Sequence, residues 1–166
     1  FVERLRTLTL PTDPDFRSAS VAPTLVTVDQ TSTNVTPGRM VLHLDYRCVP
    51  DETIDGVVAR LQGLLDECLT DGCTGRIEIE TTPMRMYTGL ERTLPNVFPA
   101  YRLPADHELV VLARSALAAQ TGVAPEVGVW RFSTDGGHLM RAGIPTIGYG
   151  PGEEPLVHTV RESIGV

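Results

Sequence analysis

Residues 40–49 constrain this chain more than any other stretch. Met40, Leu42, Leu44, Tyr46 and Cys48 alternate with Val41, His43, Asp45 and Arg47. A period of two places the first set on one face of a strand and the second on the other. Pro50-Asp-Glu-Thr53 ends the alternation and announces a helix. Ile54, Val57, Val58, Leu61, Leu64, Leu65, Cys68 and Leu69 then form a broad apolar stripe, which Asp71-Gly72 closes. Two more strands follow from the same criteria. One is Ala19 to Asp29, rich in Val and Thr, with Pro23 favouring an edge or a bulge. The other is Arg76 to Thr82, with Ile77 and Ile79 facing inward. Val2, Leu5 and Leu8 recur at helical spacing until Pro11, Pro14 and Asp15 break the pattern. The order is helix, strand, strand, helix, strand. One strand ahead of Phe1 would complete a β-α-β-β-α-β, or ferredoxin-like split βαβ, arrangement. The expectation is an α/β (α+β) chain whose first half lacks that strand.

Thr88 to Pro104 has neither helical nor strand period and carries Gly89, Pro95, Pro99 and Pro104. It divides the chain into residues 1–88, a linker over 89–104, and residues 105–166. In the last part His107 to Gln120 is an amphipathic helix, with Asp106 as N-cap and Gly122 as its stop. Pro125 to Trp130 is expected to be a short strand. A helix capped by Thr134 or Asp135 runs through Arg141, Gly143 ends it, and Ile144 to Tyr149 is expected to be a buried strand.

The bulk composition narrows the function. Hydrophobic residues make up 42% and charged residues 21%, as in globular domains. A net charge of −7 lacks the basic footprint of nucleic-acid binding. No apolar run approaches the ~18–20 residues that span a bilayer, and no signal peptide is expected, because Phe1-Val-Glu-Arg4 lacks a basic start followed by an apolar stretch. Cys48, Cys68 and Cys73 show no CxxC pairing and read as reduced thiols. A cytoplasmic location without membrane or nucleic-acid partners is expected.

Several residues carry possible chemistry. Arg47 shares the polar face of the best strand with His43 and Asp45. Its planar fork suits a substrate carboxylate, or an Arg–Asp pair on a solvated face. Asn34 lies in the turn Ser32-Thr-Asn-Val-Thr-Pro-Gly38, where local hydrogen bonding also explains it. Ser133-Thr-Asp-Gly136 opens a helix and either holds an anion on its backbone N–H groups or serves as an N-cap. His158 follows a strand at a sheet edge, where α/β folds place ligands, with Glu162 near enough to orient its ring. An ordinary loop histidine is the other reading. One histidine alone cannot hold a catalytic zinc, which takes three or four ligands.

Together these stretches resemble the metal-dependent aminoacylase and carboxypeptidase family, which includes acetylornithine deacetylase, succinyl-diaminopimelate desuccinylase and glutamate carboxypeptidase. Ser32 to Gly38 with Leu44-Asp-Tyr-Arg47 resembles the turn and following strand of that family's dimerisation (lid) domain. Ser133-Thr-Asp-Gly136 resembles the Thr/Ser-Asp-Gly turn of its catalytic domain. Gly148 through Pro151, Gly152, Glu153 and Glu154 to His158, Thr159 and Glu162 resembles the segment with its last metal-binding histidine.

The resemblance implies a zinc-peptidase-like catalytic domain and two divalent ions, zinc or cobalt, that activate water against an amide carbonyl. It makes His158 a metal ligand and Glu162 the carboxylate that orients its ring. Asn34, Arg47, Ser133 and Thr134 become substrate-binding residues, Asn34 and Arg47 reaching into a partner's site in a homodimer formed through the lid. The family's other metal ligands and its catalytic glutamate precede the lid and have no counterpart here. The chain is therefore expected to be a fragment: a lid without its first strand plus the closing part of a catalytic domain. Its parent would be a hydrolase that cleaves an amide bond of an N-acyl amino acid or peptide, a small carboxylate-bearing amide, by metal-activated water. The fragment alone, without the N-terminal catalytic half, would bind no metal pair stably and contain no catalytic residue. The competing expectation is a non-catalytic dimerisation or binding module, since ferredoxin-like sheets serve many roles.

Overall fold

The computed structural model describes residues 1–166 except 71, 131, 151, 154, 155, 158, 165 and 166. The chain is α+β and divides into two compact units, Phe1–Val97 and Phe98–Val166.

In the first unit the helical start is short. α1 spans Val2–Leu5. The break that Pro11 and Pro14 announce holds a small hairpin, β1 (Thr12–Asp13) with β2 (Arg17–Ser18). Its turn is fixed by the Asp13 carboxylate, which accepts from the N–H groups of Asp15 (2.9 Å) and Phe16 (3.0 Å). β3 (Ser20–Val28) pairs antiparallel with β4 (Met40–Arg47), running from Val28 opposite Met40 to Ser20 opposite Arg47. The register shifts between Pro23 and Leu25, where proline can donate nothing to the ladder. α2 covers Ile54–Cys68, and Thr53 caps it by accepting the Gly56 N–H at 3.1 Å.

The periodicities meet in one core. Leu61 and Leu64 of α2 are buried with Leu5 of α1. Phe1, Leu8, Val21, Leu44, Tyr46, Val57 and Ile77 pack around them.

Two boundaries differ from the sequence expectation. Residues 76–80 belong to no strand. The backbone there is held by a side chain: Gln62 Oε1 accepts the Ile77 N–H at 2.8 Å, and Gln62 Nε2 donates to the Gly75 carbonyl at 3.3 Å. The ladder starts only at β5 (Thr81–Arg85), which pairs with β6 (Glu91–Pro95) inside the stretch expected to be irregular. Gly89, at φ +83°, makes the turn between them.

In the second unit α3 spans Glu108–Thr121. Its cap is His107 rather than Asp106, because the ring Nδ1 accepts the Leu109 N–H at 3.1 Å. Gly122 ends the helix at φ +77°. α4 spans Gly136–Arg141, and Gly143 follows it at φ +78°. The strands expected at 125–130 and 144–149 do not form among the described residues. Both segments have suitable side chains, but a strand exists only through a partner that takes up its backbone groups. They do approach each other: the Trp130 ring lies where a Cβ on Gly148 would be, and Trp130 stacks on Phe132 with centroids 5.0 Å apart.

Candidate functional site

β4 sends Leu44 and Tyr46 into the core and His43, Asp45 and Arg47 to the other face. On that outer face the Arg47 fork is turned onto its neighbour, with Nε and Nη2 each 3.0 Å from Asp45 Oδ2. His43 Nδ1 lies 3.7 Å from Glu80 Oε1. Asn34 sits in the exposed turn beyond β3, where its Oδ1 accepts from Ser32 Oγ at 2.5 Å. The register puts Asn34 past the Met40 end of β4 and Arg47 at the other end. At ~3.3 Å per residue the strand alone separates them by roughly 20 Å. One copy of the chain does not bring Asn34 and Arg47 together.

A polar cluster that the sequence reading did not single out joins β4 to α2. Glu52 Oε1 accepts from Tyr46 Oη at 2.7 Å and from Arg60 Nη1 at 2.5 Å, and Glu52 Oε2 accepts the Val49 N–H at 3.1 Å. Arg60 Nη1 also reaches Tyr46 Oη at 2.7 Å. The available signal was Glu52 just ahead of the α2 cap, eight residues before Arg60, with Tyr46 on the inward face. Beside the cluster is a cavity of about 290 Å³, lined also by Asp13, Asp51 and Thr53.

Burial would raise the Glu52 pKa, but hydrogen bonds from Arg60, Tyr46 and the Val49 N–H outweigh it and hold the carboxyl below its ordinary value. Burial and the neighbouring carboxylate push Tyr46 well above the usual phenol range. Bonding to Glu52 raises Arg60. All three therefore keep one protonation state near neutrality, so none is poised for proton transfer. The cluster is a clamp between strand and helix.

In the second unit Thr134 Oγ1 accepts the Gly136 N–H at 3.2 Å, and Asp135 occupies the cap position of α4 without a side-chain cap bond. Gly136 and Gly137 are buried because the chain passes close by: a Cβ would collide with the Tyr101 ring at the first and with the Pro99 carbonyl at the second. Ser133 and Thr134 thus stand at a turn whose backbone is pinned from behind. His138 meets Phe98 edge-on, with centroids 6.1 Å apart.

His158, the expected metal ligand, lies outside the described residues. Glu162 is described and exposed, and its N–H donates to the Thr159 carbonyl at 3.1 Å. Among the described residues no group of three His, Cys, Asp or Glu side chains could hold a metal ion. No helix among them is long and apolar enough to cross a membrane. The three cysteines are free thiols.

The chain is similar over part of its length to several curated proteins. YgeY of Escherichia coli, described only as uncharacterized, is 42% identical over 77 residues, which are 46% of this chain and 19% of that protein. N-formyl-4-amino-5-aminomethyl-2-methylpyrimidine deformylase of Halalkalibacterium halodurans is 33% identical over 70 residues, 42% of this chain and 16% of the enzyme. The deformylase of the same name from Bacillus subtilis is 28% identical over 119 residues, 70% of this chain and 27% of the enzyme. The chain thus spans less than a third of these relatives' length. No family model matches it, and no solved structure does.

Proposed function

We propose that this chain is the lid and closing catalytic segment of a hydrolase that cleaves an amide bond of the N-acyl or N-formyl kind. One observation carries the reading. The two similar proteins with a named activity are both deformylases, and the Bacillus subtilis alignment covers 70% of this chain. A formyl group on nitrogen is the smallest amide acyl group, so removing it is amide hydrolysis, the reaction class that the motif resemblance implies.

Metal dependence belongs to this proposal for the parent protein. The donors described here do not make up a metal site. A metal pair would take His158 together with ligands from outside these residues, and no catalytic step is assigned to this chain. Arg47 would bind a substrate carboxylate, held in place by Asp45, while Ser133 and Thr134 line the pocket and Glu162 orients His158. A homodimer formed through the lid, in which Asn34 and Arg47 reach into a partner's site, belongs to the same proposal.

The test is hydrolysis by the longer protein that contains these residues, with N-formyl and N-acetyl amides as substrates, before and after chelation and on return of zinc or cobalt. Turnover lost on chelation and restored by metal is expected, with none from the 166-residue chain alone. Turnover that survives complete metal removal would end the metal reading. Inactivity on every amide would end the hydrolase reading. Arg47→Ala should lower kcat/KM for carboxylate-bearing amides by about 10-fold or more, the worth of a charge-assisted hydrogen bond. An unchanged value would remove Arg47 from the site.

A further inference from the structure

We propose that Cys68 and Cys73 are a thiol pair that a low-molecular-weight disulfide, with glutathione disulfide as the probe, closes into one intramolecular bond at the end of α2. Cys68 is the last residue of α2 and is half-buried, while Cys73 is exposed. The chain turns back on itself between them. Leu69 leaves the helix in an extended conformation, with its N–H on the Leu65 carbonyl at 3.1 Å. Thr70 to Cys73 is a tight turn, in which the Cys73 N–H donates to the Thr70 carbonyl at 3.0 Å and Gly72 takes φ +83°. The Thr70 hydroxyl donates to the Cys73 sulfur at 3.7 Å. That bond ties the sulfur to a residue close to Cys68 in the chain.

After the turn the chain runs back along α2. Gly75 lies against Leu65, whose Cδ2 is 2.9 Å from where a Cβ on Gly75 would be. Gln62, one helical turn earlier, holds the Gly75 carbonyl and the Ile77 N–H with the two ends of its carboxamide. Extended chain advances ~3.3 Å per residue against ~1.5 Å for a helix. Cys73, two residues before Gly75, is thus carried ~6.6 Å beyond Leu65 toward the helix end, the rise of roughly four helical residues. That sets Cys73 level with Leu69, beside Cys68. A disulfide joins Cα atoms roughly 4.4–6.8 Å apart. Gly75 brings such a span within reach, because it has no side chain to hold the returning chain off the helix. Cys48 stands at the other end. Glu52 ties its neighbour Val49 to the start of α2, and the 15 residues of the helix put roughly 22 Å between that start and Cys68.

The exposed Cys73 is the sulfur that a soluble disulfide reaches first. Its thiolate attacks one sulfur of the oxidant, forming a mixed disulfide and expelling one small thiolate. The Cys68 thiolate then attacks the Cys73 sulfur and expels the other. The two protons of the protein thiols end on the two small thiols released, and the small disulfide takes up the two electrons. The new bond fixes the Thr70–Cys73 turn against the last turn of α2.

The test equilibrates the chain with mixtures of glutathione and glutathione disulfide, quenches with acid and maps the thiols by mass spectrometry. A Cys68–Cys73 bond, lighter by two hydrogens, should form with Cys48 left free and should reverse with dithiothreitol. Its equilibrium constant should be about 10-fold or more higher in the folded chain than in the same chain in urea, because the fold rather than the ring size places the pair. Cys68→Ser should stop the reaction at the mixed disulfide on Cys73. Cys73→Ser should slow the reaction of Cys68 with glutathione disulfide by about 10-fold or more relative to that of Cys73 in the Cys68→Ser chain, because Cys68 is half-buried. A mixed disulfide that persists on Cys73 in the unsubstituted chain would overturn the proposal. So would a bond that forms as readily in urea, or pairing through Cys48 or between copies. No readout depends on hydrolysis, so the thiol pair and the enzyme reading can fail separately.

Discussion

Glu52 shows how one residue settles a junction. Its side chain is only 6% exposed and that of Arg60 29%. Arg60→Met would leave a nearly buried carboxylate without its cation. The expected cost is about 2–3 kcal/mol, below the ~3–5 of a fully buried pair because Arg60 keeps some water contact; urea unfolding measures it. The same carboxyl sets a pH dependence. Its folded pKa lies below the ordinary 4.5, so between the two values the unfolded chain binds more protons. The stabilisation is complete above the ordinary value and is lost as pH falls through the folded one. Glu52→Gln should flatten the loss of the first unit's stability as pH falls below the ordinary 4.5, and an unchanged slope would mean that other carboxylates govern it. In the second unit Gly137→Ala should cost about 2–3 kcal/mol, since the added methyl meets the Pro99 carbonyl. Gly128→Ala, with open space around it, should cost far less. Thermal unfolding of the two variants side by side decides.

Among the elements, the β5–β6 hairpin has the clearest internal logic. Met86 N–H donates to Leu90 O and Asn96 N–H to Glu80 O. Pairs of this parity, Thr82 with Leu94 and Met84 with Arg92, therefore bond inward, while Pro83 and Pro95 sit where N–H groups would point outward. The two prolines blunt both edges of the hairpin. Met84, Met86, Leu90 and Leu94 meanwhile share one uncovered face. Replacing both prolines by Thr should restore the outward donors and make the chain associate through strand edges, seen as light scattering at concentrations where the parent sequence stays clear. Thr53→Ala tests α2 in the same spirit and should cost about 1 kcal/mol of unfolding free energy.

The molecule as a whole exposes 12774 Å². Two independent units of these sizes would expose about 9,700 Å² in all. The excess is apolar in part, with Leu112, Val123 and Tyr149 well exposed in the second unit and Leu25, Val26 and Met40 in the first. The isolated chain should bind a hydrophobic dye and sediment as larger species as its concentration rises. A sharp monomer without dye binding would show that these faces need no cover.

Local chemistry in the sequence determined the periods and the stops, and the α2 cap, though at α3 the cap moved from Asp106 to His107. The alternation over 40–49, the stripe from Ile54 to Leu69, Thr53 ahead of α2 and Gly122 after α3 all act within a few residues of themselves, and each stands where the pattern put it. The resemblance motifs were also legible as types and spacings, but the distance between Asn34 and Arg47 was not, because it follows from the β3–β4 register. What needed a distant partner was decided only by tertiary structure. Residues 76–80, 125–130 and 144–149 have strand-like side chains, yet a strand is made by its neighbour's backbone. The Glu52 clamp likewise exists only because folding brings Tyr46 and Arg60 to the same carboxylate.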